Sequence, residues 1–309
     1  MQTGRIRIGT RGSMLALWQA GAVRDALAAA RVDADLEIVV IRTSGDMIRD
    51  RALLEAGGKG LFTKEIDAAL LAGDIEVAVH SAKDMPTFMP AGITIGAYLP
   101  RADVRDAFIG REARSLEDLP AGASVGTASL RREALLRRVR PDLRISLLRG
   151  NVQTRLRKVK EGEFDATLLA AAGLTRLGLE DRIDVHLPLD WFPPACGQGA
   201  VAIACRADDA PIRERVAAIG HCDTDAAVSC ERAFLATLDG SCKTPIAGLA
   251  EIHNGRLSFG GIILSPDGKE FYQASLSGEP GNAAEIGRSA GLEIRAQAPR
   301  AFLEALGIR

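Results

Sequence analysis

Residues 187–205 read LPLDWFPPACGQGAVAIAC. The first part, 187–199, is crowded with proline and glycine and reads as a linker crossing from one body of the chain to another. The end, VAIAC (201–205), is a single buried strand with no partner nearby in sequence. It is best explained by the chain returning to a sheet begun far upstream. The linker therefore ends a second domain, and the strand re-enters the first.

Working outward supports this division. Toward the N-terminus, strand and helix alternate: strand 5–9, helix 13–30 with Ser13 as N-cap, strand 36–41, helix 61–72 with Gly73 near its end, and strands 75–79 and 93–98. The pattern then restarts with strand 124–126, helix 130–139, strand 145–148, helix 152–161 and strand 166–170. Alternation of this kind predicts mostly parallel sheets covered by helices. After residue 219 the pattern changes. A long helix (224–238) precedes a loop (239–245). Strands follow at 247–252, 256–264 and 270–277, the last two joined by a Pro266-Asp267-Gly268 turn, and a helix begins near Ala283. The expected fold class is α/β: two similar α/β domains, residues 1–98 with 198–217 and residues 99–197, plus a small α+β domain at 218–309.

Composition excludes several function classes. The 309 residues are 47% hydrophobic and 26% charged, with a net charge of −1, which gives no global reason to bind nucleic acid or membrane surface. Aromatic content of 4% leaves no stacking platform for single strands. The N-terminal MQTGRIRIGTRGS has no apolar signal region, and no apolar run reaches the ~18 residues of a membrane span, so a cytoplasmic location is expected. Five cysteines (196, 205, 222, 230 and 242) include no CxxC pair. A disulfide framework is not expected. The spacing of His221, Cys222, Cys230 and Cys242 matches no zinc pattern, and no metal is expected.

The charge is unevenly distributed. Residues 127–160 hold eleven Lys and Arg against Glu133 and Asp142, a local balance of +9. Arginines recur where strands end and helices begin, the position at which open α/β sheets bind ligands. Arg11 and Ser13 follow the first strand. Thr127, Ser129, Arg131 and Arg132 follow another, and Arg149, Asn151 and Arg155 a third. Arginine in a first helical turn opposes the macrodipole, and paired Arg131 and Arg132 repel each other. An anion between them resolves both conflicts, because guanidinium binds carboxylate through a two-pronged fork. The plain alternative is a solvated basic face, and that is the better reading for Arg137, Arg138, Arg140, Arg157 and Lys158.

Three further features bear on chemistry. The strand 75–79 leads into His80-Ser81-Ala82-Lys83-Asp84-Met85-Pro86, placing Asp84 at a strand end near cations. It reads either as an ion-pair partner or as a group that exchanges a proton and stabilises a developing cation; Lys83 suits another carboxylate. Gly57, Gly58, Lys59, Gly60 and Phe62 lack the GxxxxGK[ST] order of a phosphate loop and read as a mobile lid or an ordinary surface loop. Cys242 lies in the loop Asp239-Gly240-Ser241-Cys242-Lys243-Thr244-Pro245, where Lys243 favours its thiolate. Cys205 and Cys230 read as core.

The stretches GTRGSMLALWQA (9–20), GGKGLFTKE (57–65), VHSAKDMP (79–86), GTASLRR (126–132), LRGNVQTRL (148–156), AAGLTRLGL (171–179), GQGAV (197–201) and GSCKTPIAG (240–248) occur in this order. Together they resemble the porphobilinogen deaminase, or hydroxymethylbilane synthase, family over nearly the whole chain. The resemblance implies three domains, the first two like type II periplasmic binding proteins. It also implies an enzyme of porphyrin biosynthesis, a transferase that condenses four porphobilinogen molecules to hydroxymethylbilane with loss of ammonia at each step. It further implies a monomer, and a dipyrromethane cofactor held by a thioether to Cys242. Arg11, Lys83, Arg131, Arg132, Arg149, Arg155 and Arg176 would neutralise pyrrole acetates and propionates, assisted by Ser13, Ser81, Thr127, Ser129 and Asn151. Asp84 would be the catalytic carboxylate and a cofactor contact, and Gln198 a further cofactor contact. Lys243, Thr244, Glu55 and Trp191-Phe192 depart from the family's pattern. The rival from another class is a non-catalytic two-lobed binding protein for a small polycarboxylate. Such a protein needs neither Cys242 nor Asp84.

Overall fold

The structure, a computed structural model, describes residues 4–44, 63–240 and 244–308. The chain packs into two compact units, residues 1–102 with 200–225 and residues 103–199 with 226–309. It begins with β1 (Gly4–Thr10), α1 (Met14–Ala29), β2 (Ala34–Val40), α2 (Lys64–Ala72), β3 (Val77–Ser81) and β4 (Ile93–Tyr98). β5 (Asp106–Gly110), β6 (Ser124–Thr127), α3 (Leu130–Val139), β7 (Arg144–Leu147), α4 (Val152–Lys160), β8 (Ala166–Ala170), α5 (Ala171–Thr175) and β9 (Val185–His186) follow. Next come β10 (Val201–Arg206), α6 (Ala210–Ala217) and α7 (Cys222–Thr237). The chain closes with β11 (Ile246–His253), β12 (Arg256–Leu264), β13 (Phe271–Gly278), α8 (Ala283–Gln297) and α9 (Arg300–Ala305).

The sheet of the first unit has the order β2-β1-β3-β10-β4. β1 runs parallel to β2 and β3, whereas β10 is antiparallel to β3 and β4. The strand at 201–205 does return to the first sheet, with Val201 opposite Ser81 and Cys205 opposite Val77. Val77, Val79 and Ile203 are buried with Ile6, Ile8, Val23 and Leu27 in one core. Near-continuous apolar runs such as those of β3 and β10 suit strands covered on both faces. Ser13 caps α1 by accepting from the Ala16 N–H at 3.3 Å, and Gly73 ends α2 at φ 78°, in the left-handed region that favours glycine.

The second unit repeats the plan. Its first sheet has the order β7-β6-β8-β5-β9, with β6 parallel to β7 and β8 and β5 antiparallel to β8 and β9. In both sheets the fourth position holds an antiparallel strand, and each such strand follows a segment that crosses between units. The sheets are therefore mixed rather than mostly parallel. Neither β5 nor β9 is expected from the sequence pattern: β5 opens on a charged residue, Asp106, and β9 has only two residues.

The same unit contains the antiparallel meander β11-β12-β13, backed by α7 and α8 around Phe234, Phe259, Ile263, Ala290 and Ile294. α3 packs against this meander, with the Arg138 guanidinium 3.5 Å from the centre of the Phe271 ring. Leu264 and Phe271 join the core formed by Phe108, Val125, Leu135 and Phe192. Among the described residues, no helix is long and apolar enough to cross a membrane.

The approach of α8 to α7 depends on Gly287, because a β-carbon there would overlap the carbonyl oxygen of Cys230. Overpacking of this kind costs about 1–3 kcal/mol. Urea denaturation of Gly287→Ala should show a loss of that order; an unchanged midpoint would mean that the helices separate at no cost.

Candidate active site

In the first unit the ends of β1 and β3 lie side by side. β1 runs out into Arg11 and Ser13, and β3 into Ser81 and a single 3-10 turn, Ala82–Asp84, that contains Lys83 and Asp84. Arg11, Ser13, Ser81 and Asp84 line one cavity of about 70 Å3, together with Gln19, Thr63 and His80. Asp84 is exposed and Arg11 half-buried. Ser81 accepts from the Gln19 side-chain amide at 2.9 Å. His80, to which the sequence pattern assigns no role, is 6% exposed, and its Nε2 is buried without a hydrogen-bond partner. Burial, aided by the charge of Arg11, pulls its pKa down to about 4.

In the second unit Arg131 and Arg132 do have an anion between them, and it is the chain's own Asp106. Both guanidinium groups are 4% exposed and Asp106 is fully buried. Arg131 Nη2 donates to Asp106 Oδ2 at 2.7 Å, and its Nη1 to the Pro193 carbonyl at 2.6 Å. Arg132 donates to Oδ1 through Nη2 at 2.6 Å and Nε at 3.1 Å, and reaches the Leu168 carbonyl at 2.8 Å. The Gln198 amide adds a bond to the same Oδ1 at 3.0 Å and another to the Val104 carbonyl at 2.7 Å. Burial alone would raise the Asp106 pKa, but the two guanidinium charges hold it well below the usual carboxylate range. Phe192 lies beneath Arg131, 5.8 Å from ring centre to guanidinium, and Trp191 packs edge-on to Phe192. The linker aromatics thus floor the cluster.

Two positive charges against one negative leave this buried cluster with a balance of +1, and Arg131 Nε is buried without a partner. Arg149, at the end of β7, also has a buried and unpartnered Nε. Arg155 donates to the Gly150 carbonyl at 2.9 Å. Arg176 donates to the Gly199 carbonyl at 2.6 Å, next to Gln198, and burial lowers its pKa to about 10. The neutral side chains prove to serve the backbone first. Ser129 caps α3 by accepting from Arg132 N–H at 3.4 Å, Asn151 caps α4 by accepting from Thr154 N–H at 2.9 Å, and Thr127 Oγ1 accepts from Ser129 N–H at 3.1 Å. A hydroxyl that accepts in this way still has a proton to donate to a ligand.

Residues 6–214 match the family described as porphobilinogen deaminase, dipyromethane cofactor binding domain. The chain belongs to the porphobilinogen deaminase family. Residues 226–296 match the C-terminal domain of the same family. The porphobilinogen deaminases of Nitrobacter hamburgensis and Nitrobacter winogradskyi are each 57% identical to this chain over 297 residues, covering 96% of it and 94% of theirs. Among solved structures, the periplasmic VFT2 domain of Bordetella pertussis BvgS is similar at 16% identity, over 69% of this chain and 86% of that domain, with a TM-score of 0.41.

The cofactor named by the family is a polycarboxylate, and the donor set fits it. The cluster at Arg131 and Arg132 has positive charge to spare, and Arg131 and Arg149 each present a buried N–H that the protein itself leaves unsatisfied. Cys242, its neighbours Ser241 and Lys243, and the lid positions Glu55, Gly57, Gly58, Lys59, Gly60 and Phe62 lie outside the described residues. Of the remaining cysteines, Cys205 and Cys230 are fully buried and Cys222 is exposed; burial pushes the Cys230 thiol up to about 12. Among the described residues, no three His, Cys, Asp or Glu side chains gather where they could hold a metal ion. Of the basic residues assigned to a solvated face, Arg137 pairs with Glu133, Arg140 with Asp142, Arg157 with Glu161 and Lys158 with Glu163, whereas Arg138 lies over the Phe271 ring.

The sequence pattern does not mark Asp106 as a site residue. Its signal is a lone acid opening an apolar run, DAFIG, in a chain with paired arginines to match. Replacing it with asparagine leaves two buried guanidinium groups uncompensated, which costs about 3–5 kcal/mol. Chemical denaturation of Asp106→Asn should show that loss. Because the folded pKa is depressed, the stabilisation is complete above about pH 4 and disappears only as pH falls through the lower folded value. The deficit of the variant should therefore be constant from neutral pH down to about pH 5. A deficit that vanished at pH 5 would mean that Asp106 is not the ion-paired group.

Proposed function

We propose that this chain is a hydroxymethylbilane synthase. It condenses four porphobilinogen molecules head to tail on a covalently held dipyrromethane, releases one ammonia at each condensation, and frees the linear tetrapyrrole by hydrolysis. The observation that carries this reading is Asp84, held at the end of β3 on the wall of a small polar cavity shared with Arg11. A binding protein for a polycarboxylate would need the arginines but gain nothing from a carboxylate among them.

The dipyrromethane, when bound, supplies the pyrrole carbon at which growth begins. Arg131, Arg132, Lys83 and Ser129 would hold its carboxylates, Gln198, whose amide donates to Asp106 and the Val104 carbonyl, would keep the two arginines in place beneath it, and the thiolate of Cys242 would be its thioether attachment point. Arg11, Arg149, Arg155 and Arg176, with Ser13, Ser81, Thr127 and Asn151, hold acetates and propionates of incoming rings. Binding these anions replaces guanidinium hydration with charge-assisted hydrogen bonds. Asp84 acts on the reacting methylene. Its carboxylate faces the positive charge left when the amine departs, and it then takes part in removing the proton from the coupled ring. In this reading the protein is a three-domain cytoplasmic monomer with boundaries at 1–98 with 198–217, 99–197 and 218–309.

Intact mass measurement of protein expressed in cells should show an adduct of two linked pyrrole units, abolished in Cys242→Ser. Active protein with a bare polypeptide mass would overturn the attachment. Asp84→Asn should retain the adduct and lose turnover by about 100-fold or more; near-normal turnover would remove Asp84 from the chemistry.

A further inference from the structure

His80 is a buried titratable group for which the condensation so far has no use. It sits on β3, where its backbone pairs with Ala202 of β10, and it lines the cavity together with Arg11, Gln19, Thr63, Ser81 and Asp84. Ser81 is engaged with Gln19 at 2.9 Å, whereas His80 Nε2 is buried without a hydrogen-bond partner in the protein. An unsatisfied buried ring nitrogen costs about 1–3 kcal/mol. A strand that could have carried leucine here therefore keeps the histidine for something that enters the cavity.

The dimensions and charges narrow the choice. The cavity, about 70 Å3, holds molecules the size of water. A carboxylate would be met by Arg11 and would gain little from an uncharged imidazole. Burial and the neighbouring Arg11 keep the ring neutral, with a pKa near 4. A neutral ring offers one lone pair and does not repel a cation. The matching guest is a water-sized molecule with several N–H groups, brought in on a positive charge and released next to Asp84.

We propose that this cavity is the ammonia site of the enzyme, with His80 Nε2 accepting a hydrogen bond from the amine as it leaves; the assignment rests on the condensation proposed above. The bond that breaks joins the substrate's methylene carbon to its ammonium nitrogen. The electron pair departs with nitrogen, so neutral ammonia leaves and the positive charge remains on the pyrrolylmethyl group, opposite Asp84. No proton is gained or lost at His80, whose neutral ring accepts at Nε2 in the tautomer protonated on Nδ1, the one this role requires. Ammonia held there is kept apart from the cation until the next ring has attacked.

The test uses the cofactor-bearing enzyme labelled with 15N-histidine. The chain has four histidines, so the His80 resonance is assigned by its absence in a variant. Ammonium chloride under mildly alkaline conditions should shift the His80 Nε2 resonance saturably, and potassium chloride at equal ionic strength should not. An equal response to both salts, or none, overturns the site and leaves a water pocket. Two variants supply the kinetic arm, each first checked for the two-pyrrole adduct by mass. His80→Phe keeps the bulk and loses the acceptor. Its kcat should fall about 10- to 100-fold with KM nearly unchanged. His80→Gln, which keeps a polar group near Nε2, should recover most of that loss. Full turnover by His80→Phe overturns the proposal. If neither variant folds, the wild-type titration still decides. A wild-type protein that releases no ammonia from porphobilinogen instead sinks the proposed function itself, so the two failures are distinct.

Discussion

Asp106 is the point on which the second unit depends. One fully buried carboxylate accepts from Arg131, Arg132 and Gln198, which belong to the first turn of α3 and to the crossing linker. Through the same two arginines it is tied to the Pro193 and Leu168 carbonyls. A buried ion pair is not a strong source of net stability, because desolvation offsets most of its Coulombic gain. Its effect is to select an arrangement. α3 can sit on the sheet in only one register if both of its first-turn guanidinium groups must reach one aspartate on β5. The residual charge of +1 is what makes the arrangement receptive to an anion.

A second carboxylate secures the same linker from the other side. Glu231 on α7 is fully buried and accepts from Gly197 N–H at 2.6 Å and from Ala250 N–H on β11 at 2.8 Å. Gly197 has φ 76°, a conformation that a side chain would strain. Residues 197–199 are thus clamped between Glu231, Asp106 and Arg176, the last donating to the Gly199 carbonyl. The stretch that looks like a flexible crossing by composition is, at this end, among the most tightly bonded parts of the unit. Proline and glycine there mark unusual backbone geometry and not looseness.

The sequence made the architecture legible wherever a local period carried it. The returning strand at 201–205, the Ser13 cap, the two rounds of alternation and the C-terminal meander all follow from apolar spacing and turn chemistry. β5 did not, because its defining residue is a buried charge and pattern reasoning assigns charges to the surface. The arginines show the same limit. Their position at strand ends was visible, and so was the need for an anion. That the first anion is internal was not, since Asp106 lies 25 residues before Arg131 and meets it only through the antiparallel insertion of β5. Of the neutral helpers at the strand ends, Ser129 and Asn151 also cap helices, a role the sequence pattern marks only for Ser13. Capping and ligand donation draw on the same few polar residue types, so residue type alone cannot separate them.

Guanidinium charge lowers the pKa of both Asp106 and His80, and the same shift leaves one ionised and the other neutral. Guanidinium charge holds Asp106 ionised against its burial, and guanidinium charge adds to burial in holding His80 neutral. An arginine stabilises a carboxylate's charged form and an imidazole's uncharged form, so both groups keep fixed states across the range where most enzymes work. A site that must grip several carboxylates while releasing a base gains from this. The gripping charges do not fluctuate as protons move, and the buried imidazole does not recapture a proton meant for elsewhere. Proton exchange in the proposed reaction is left to Asp84, among the described residues the one carboxylate on the cavity wall, and an exposed one.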